Sequence, residues 1–299
     1  MSDNHPHTST RFRLLITVIL NLIITVAEVI GGIISGSLAL ISDALHNFSD
    51  AVSVIISYVA LRLKERSNSP KHTFGLKRGE ILAAVINSSI LVAISIYLFY
   101  EAIVRFQNPT LIKGVLMVIV ASIGLVANLA GTLLLKRDAG SSMNIKSSYL
   151  HLLTDAFSSV AVILGGLAIT LWNIFWLDPV LTILIAIYIT KESFKILTDA
   201  IHVLMEGAPL DISIKDIQTE VEGLDEVDDI HHVHLWSVGE NDIHLEAHIN
   251  VPDMMISKSN VLGEKIEKIL KNRFGINHIT LQFECNQCKD AGLVVNGKH

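Results

Sequence analysis

Cysteine is almost absent: the 299 residues hold two, Cys285 and Cys288, spaced C-x-x-C near the C-terminal end. That excludes the disulfide framework of a small secreted domain and leaves a pair of reduced thiols available to metal. Charge is scarce as well, at 17% of residues, which is low for a soluble globular chain. No Gly-rich phosphate loop occurs, so ATP-driven pumping is not expected. No His-Glu-x-x-His sequence occurs either, which argues against an intramembrane zinc protease with a glutamate base. The segment His244-Leu245-Glu246-Ala247-His248 is arranged differently and falls in an expected strand. The polar first ten residues, with His5 and His7, lead into no cleavable signal, so the first apolar run is expected to stay as a membrane span. No nucleic-acid partner is expected.

What is present is apolar: 51% of residues are hydrophobic and the mean hydropathy is +0.51. Residues 1–207 carry 15 Lys+Arg against 13 Asp+Glu, whereas 208–299 carry 8 against 16, so a nearly neutral hydrophobic part precedes an acidic tail. A span needs about 20 mostly apolar residues, and six stretches qualify: 12–34, 38–63, 80–104, 112–135, 148–171 and 178–200. Gly31-Gly32, Gly36, Asn108-Pro109 and Asp178-Pro179 punctuate the connections before spans two, four and six. The other two connections are basic, with Arg62, Lys64, Arg66, Lys71, Lys77 and Arg78 in one and Lys136, Arg137 and Lys146 in the other. The positive-inside rule places these in the cytoplasm, together with both termini. The expected organisation is a cytosolic N-terminal segment 1–11, a six-helix transmembrane domain 12–207 and a cytosolic α+β domain 208–299.

In the tail, Ile212–Glu222 suits a helix, Val227–Val238 a strand, Asn241–Val251 a second strand, Lys258–Phe274 a helix and His278–Glu284 a third strand. Such an order suggests a compact sheet covered by two helices.

Span two carries Asp43, His46 and Asp50, and span five carries His151 and Asp155, where ionisable groups are costly and default to a functional reading. His46-x-x-x-Asp50 and His151-x-x-x-Asp155 each put an imidazole and a carboxylate on one helical face, one turn apart. Two such helices facing each other offer two neutral imidazoles and two carboxylates, a set that suits Zn²⁺, Co²⁺ or Fe²⁺ better than Ca²⁺ or Mg²⁺. The competing reading is that these groups hold the helices together by hydrogen bonds, and two matched pairs in one chain weigh against it. Asp43, three residues before His46, reads either as an outer acceptor for the site or as an acid nearer the surface. Protons give such a site a way to release its ion, since histidine titrates near pH ~6.5 and close carboxylates share protons. A metal/H⁺ antiporter is the expectation, and a passive channel or a metal sensor the alternative.

Six spans, the two His-x-x-x-Asp pairs, His72-Thr73-Phe74-Gly75 in the second-to-third loop, Leu204-Met205-Glu206-Gly207 after span six and the acidic tail together resemble the cation diffusion facilitator family. Within it the chain looks most like the cobalt-zinc-cadmium resistance branch of bacterial efflux proteins. The resemblance implies a homodimer, alternating access, proton-coupled export from the cytoplasm and a tail with a ferredoxin-like, metallochaperone-like fold. It implies a transport site of His46, Asp50, His151 and Asp155, whose two histidines favour Zn²⁺ over Cd²⁺ or Mn²⁺. The loop Asp138–Ser147 has no histidine, unlike that of eukaryotic vesicular members, and this points to a bacterial inner membrane.

Some relatives carry a further site in the second-to-third loop. Here His72 is flanked by Ser69 and Leu76 where ligands would stand, so His72 reads as an ordinary loop residue. The tail holds His231, His232, His234, His244, His248 and His278. Alternation in the second strand puts Ile243, Leu245, Ala247 and Ile249 on one face and His244, Glu246 and His248 on the other. The family likeness picks out His231, His248 and Glu284 as a cytosolic site, with His234 or Asp229 as neighbours. It suggests Cys285 and Cys288 as a thiolate pair that the His5/His7 segment of a partner chain completes. His232 and His244 read as surface residues. Zinc at these tail ligands is expected to regulate transport.

Overall fold

The computed structural model describes residues 6–64, 69–136, 143–239, 242–285 and 292–294. The chain forms two compact units, residues 1–58 with 86–197 and residues 59–85 with 198–299.

Six long helices carry the hydrophobic part: α1 Pro6–Ser35, α2 Leu38–Lys64, α3 Arg78–Gln107, α4 Gly114–Lys136, α5 Met143–Trp172 and α6 Leu177–Leu204. Each covers all or nearly all of one apolar stretch expected from the sequence; α1 begins at Pro6, six residues ahead of the expected span, and α4 at Gly114, two residues inside its own. By length and composition, α3, α4 and residues 149–172 of α5 are apolar enough to cross a membrane. Large apolar side chains such as Ile23, Ile33, Ile96, Val126, Leu133, Leu164 and Leu171 point outward, each at least half exposed. A soluble surface does not tolerate so wide an apolar area, whereas a bilayer requires it.

The first unit packs α4 against α1 and against α5, around Ala39, Leu40, Met117, Val120, Ala121, Val162 and Ile169. Gly36 ends α1 at φ 78°, a conformation that a β-carbon disfavours, and its amide donates to Gly32 O at 2.9 Å. The chain then turns straight into α2. Ser37 caps that helix by accepting from Leu40 N at 3.2 Å, and its hydroxyl donates to Asp178 Oδ1 at 2.5 Å. Asp178, at the start of α6, also accepts from Leu38 N at 2.9 Å and Ala39 N at 3.3 Å. A carboxylate from one helix thus satisfies the orphan amides that open another, and fixes the helix on which His46 and Asp50 stand.

The second unit contains α7 Ile214–Glu222, β1 Asp229–Gly239, β2 Asp242–Asn250, α8 Ile256–Phe274 and β3 His278–Glu284, in the order read from the sequence and within two residues of each expected boundary. The sheet order is β1-β2-β3; β1 and β2 are antiparallel and β2 and β3 parallel, the helix α8 forming the crossover that a parallel pair needs. Leu262, Ile266 and Leu270, spaced four apart on α8, and Ile217 and Val221 on α7 cover Val233, Leu235, Leu245, Ala247 and Ile249 of the sheet. The opposite sheet face carries the histidines.

β1 has one irregularity with functional weight. His231 pairs with His248 and His234 with Glu246, so three steps on β1 oppose two on β2. The extra residue is a β-bulge, and His232 within it has φ 52°. Val233 and Leu235 face the core, so unbroken alternation would turn His231 inward with them. The bulge reverses the parity and puts His231 on the face of His248 and Glu284.

Candidate metal centres

On α2 and α5 the four expected ligands converge. His46 Nε2 lies 3.7 Å from Asp50 Oδ2 and 3.7 Å from Asp155 Oδ1. His151 Nε2 lies 3.0 Å from Asp50 Oδ2 and 3.5 Å from Asp155 Oδ2. His46, His151 and Asp155 bring one ligand atom each within 4.8 Å of one another, and Asp50 closes the group through His151. The Asp155 side chain is 3% exposed, and His46 Nε2 and Asp155 Oδ2 are buried without a hydrogen-bond partner. Buried polar atoms are ordinarily paired; unpaired nitrogen and oxygen atoms facing one point are what an incoming cation would satisfy.

A cavity of about 320 Å³ opens beside the group, lined among others by Asp43, His46, Asp155, Ser158 and Tyr188. Asp43 is 3% exposed and accepts from Ser158 Oγ at 2.7 Å, which excludes the reading of it as an acid near the surface. Tyr188 on α6 sets its ring 5.6 Å from that of His46. Sequence reasoning missed Ser158 and Tyr188: hydroxyl-bearing residues are common in apolar helices, and no spacing rule links them to a histidine on another helix.

In the second unit, His231, His248 and Glu284 also gather within 4.8 Å. His248 Nδ1 is 2.8 Å from Glu284 Oε1 and His231 Nε2 is 3.4 Å from Glu284 Oε2. His231 is 1% exposed. Its Nδ1 is 2.6 Å from Asp229 Oδ1, and Asp229 in turn accepts from Asn250 Nδ2 at 3.0 Å. A carboxylate on Nδ1 is the usual way to aim Nε2 at a metal, and both His231 Nε2 and Glu284 Oε2 are buried without a hydrogen-bond partner. These residues therefore fit a divalent cation. The ring of His232 lies 4.8 Å from that of His248 and 5.2 Å from that of His234, and His234 itself is exposed. Cys285 is exposed directly after β3; Cys288 and His5 lie outside the described residues, as does the side chain of His7.

The other end of the sheet face holds a different cluster. His244 is 2% exposed, stacked on Trp236 with ring centroids 5.5 Å apart and with the tilted ring of His278 at 4.6 Å, so it is buried rather than a surface residue. Phe74 approaches it edge-on at 5.2 Å, and the Lys77 ammonium pairs with Asp242. Burial alone would raise the Asp242 carboxyl, but the hydrogen bond and charge of Lys77 hold it below the ordinary range. Burial also pushes the His244 imidazole down, favouring its neutral form against the opposing charge of Asp242. His72 is exposed and belongs to neither group of converging ligands.

Comparison with known proteins agrees over nearly the whole chain. Residues 14–205 match the cation efflux transmembrane domain and residues 209–285 the cytoplasmic domain of cation efflux proteins. A cadmium, cobalt and zinc/H⁺-K⁺ antiporter of Bacillus subtilis is 39% identical, over 95% of this chain and 92% of its own length. The zinc transporter ZitB of Pectobacterium atrosepticum is 37% identical over 97% and 91%. The metal cation efflux system protein CzcD of Cupriavidus metallidurans is 33% identical over 97% and 91%.

Proposed function

Because this chain belongs to the cation efflux family, the cation diffusion facilitators, we propose that it exports divalent metal ions, chiefly Zn²⁺ with Co²⁺ and Cd²⁺ as further substrates, in exchange for protons. It is a multi-pass membrane protein. In this reading its six long helices all span a bacterial inner membrane, both termini are cytoplasmic, and the transporter works as a homodimer.

The observation that carries the reading is the meeting of His46 and Asp50 with His151 and Asp155 at one point between two helices. Two imidazoles and two carboxylates suit Zn²⁺, and the two negative charges offset the ion inside a low-dielectric wall. Open to the neutral cytoplasm, the deprotonated ligands take the ion. Open outward, protons on imidazole and carboxylate compete for the same lone pairs and release it. Alternating access then moves metal one way and protons the other.

This mechanism predicts that zinc added to inverted membrane vesicles with an acidified lumen alkalinises that lumen as zinc enters. A luminal pH indicator that stays constant during zinc uptake would overturn the proton coupling.

His231, His248 and Glu284 serve, in the same reading, as a cytosolic zinc site whose occupancy holds the acidic tails in a transport-competent arrangement, with the Cys285/Cys288 pair as a second one. The double variant His231→Ala, Glu284→Ala is expected to bind fewer zinc ions per chain by equilibrium dialysis while its transport loses dependence on cytosolic zinc. Unchanged stoichiometry would remove these residues from the metal-binding set.

A further inference from the structure

A second group of buried polar side chains lies in the first unit, apart from the four transport ligands. Glu28 on α1 is 1% exposed, as are Asn47 on α2 and Asn128 on α4, and Ser159 on α5 is fully buried. Asn47 Nδ2 donates to Glu28 Oε2 at 2.9 Å. Glu28 Oε1, Asn47 Oδ1, Ser159 Oγ and both amide atoms of Asn128 are buried without any hydrogen-bond partner.

Gly124 on α4 shows that two of these atoms, Glu28 Oε1 and Ser159 Oγ, lie close together. A methyl group there would come within 2.7 Å of Glu28 Oε1 and 3.5 Å of Ser159 Oγ, so glycine leaves the carboxylate oxygen unobstructed and brackets the distance between the two side chains. Asn128 stands one turn beyond Gly124 on the same face of α4. The ion pairs Lys77–Asp242, Arg78–Glu206, Arg105–Glu101, Lys265–Glu226 and Arg273–Glu220 all lie elsewhere.

Helix association alone is a poor explanation. Polar groups that join helices in a membrane do so by pairing, and these include oxygens left unpaired in a wall where each is costly. A cation would satisfy them. The donors are oxygen only, carboxylate, amide and hydroxyl, which disfavours Zn²⁺ relative to the histidine site. Hard divalent ions recruit several carboxylates, and here Glu28 supplies one. Asp43 on α2 is engaged by Ser158. Within the set of Glu28, Asn47, Asn128 and Ser159, one carboxylate among neutral oxygen donors matches a single positive charge.

We infer that Glu28, Asn47, Asn128 and Ser159 form a second intramembrane cation site, which takes a monovalent alkali cation with Glu28 as its anionic ligand. The site does not depend on the transport reading. It shares α2 with the zinc ligands, since Asn47 adjoins His46 in sequence, but none of its four side chains is one of those ligands.

The test is thermal unfolding of the purified full-length protein in KCl, NaCl or choline chloride at equal ionic strength, with zinc binding measured in parallel. A ligand that binds only the folded chain raises its midpoint. The native protein is expected to unfold several degrees higher in KCl or NaCl than in choline chloride. Glu28→Gln should lose that difference, and the milder Ser159→Ala should need a higher salt concentration to reach it, while both bind zinc as the native chain does. Equal native midpoints in the three salts would overturn the site and assign the unpaired oxygens to bound water or a proton. Retention of the alkali effect in Glu28→Gln, or an unshifted salt dependence in Ser159→Ala, would overturn it equally.

Discussion

Asp155→Ala is expected to abolish zinc transport and to leave the fold intact. The side chain is 3% exposed, stands 3.7 Å from His46 Nε2 and 3.5 Å from His151 Nε2, and leaves Oδ2 without a hydrogen-bond partner. No helix cap or helix-to-helix hydrogen bond among the described residues runs through it, so its removal subtracts a desolvated charge rather than a structural contact. Loss even of a group that only supports a metal ligand costs about 10- to 100-fold in affinity, and loss of a direct anionic ligand should cost more than about 100-fold. Asp155→Asn keeps the volume and is expected to fail almost as badly, because an amide supplies no charge against the ion. The thermal midpoint of both variants should be no lower than that of the native chain.

Asp178→Ala has the opposite signature. This fully buried carboxylate accepts from Ser37 Oγ, Leu38 N and Ala39 N, and alanine strands those donors at the N-terminus of α2. Leaving donors of a charge-assisted set unpaired costs about 3 kcal/mol or more. The variant is expected to unfold at clearly lower temperature and to lose transport in proportion to the folded fraction. Asp178→Asn, which keeps an acceptor oxygen, should recover part of the stability. An Asp178→Ala protein as stable as the native one would show that α2 is fixed by its packing alone.

The sequence announced the ligand groups better than the structure that serves them. Both His-x-x-x-Asp pairs were legible because an i, i+4 spacing on a helix fixes a shared face without any tertiary knowledge. The elements of the second unit were legible to within two residues because apolar residues recur every second position in β2 and every fourth in α8. The bulge at His231–His232 was not, since two histidines in a row carry no register information, and yet the bulge brings His231 to Glu284. Asp178 beside Pro179 read as connection punctuation, because a cap supplied from another helix leaves no local signature. Glu28 lies alone in an apolar run, without the repeated motif that marks spans two and five. Its neighbours Asn128 and Ser159 arrive from helices about a hundred residues away or more, so only tertiary structure brings them together.

The most direct test of the account is ⁶⁵Zn²⁺ uptake into proteoliposomes with an imposed pH gradient, comparing the native chain with Asp50→Ala and Asp155→Ala. The account predicts uptake that follows the gradient in the native protein and disappears in both folded variants. Normal uptake in either variant would contradict it, and would make the meeting of His46, Asp50, His151 and Asp155 a structural contact rather than the path of the metal.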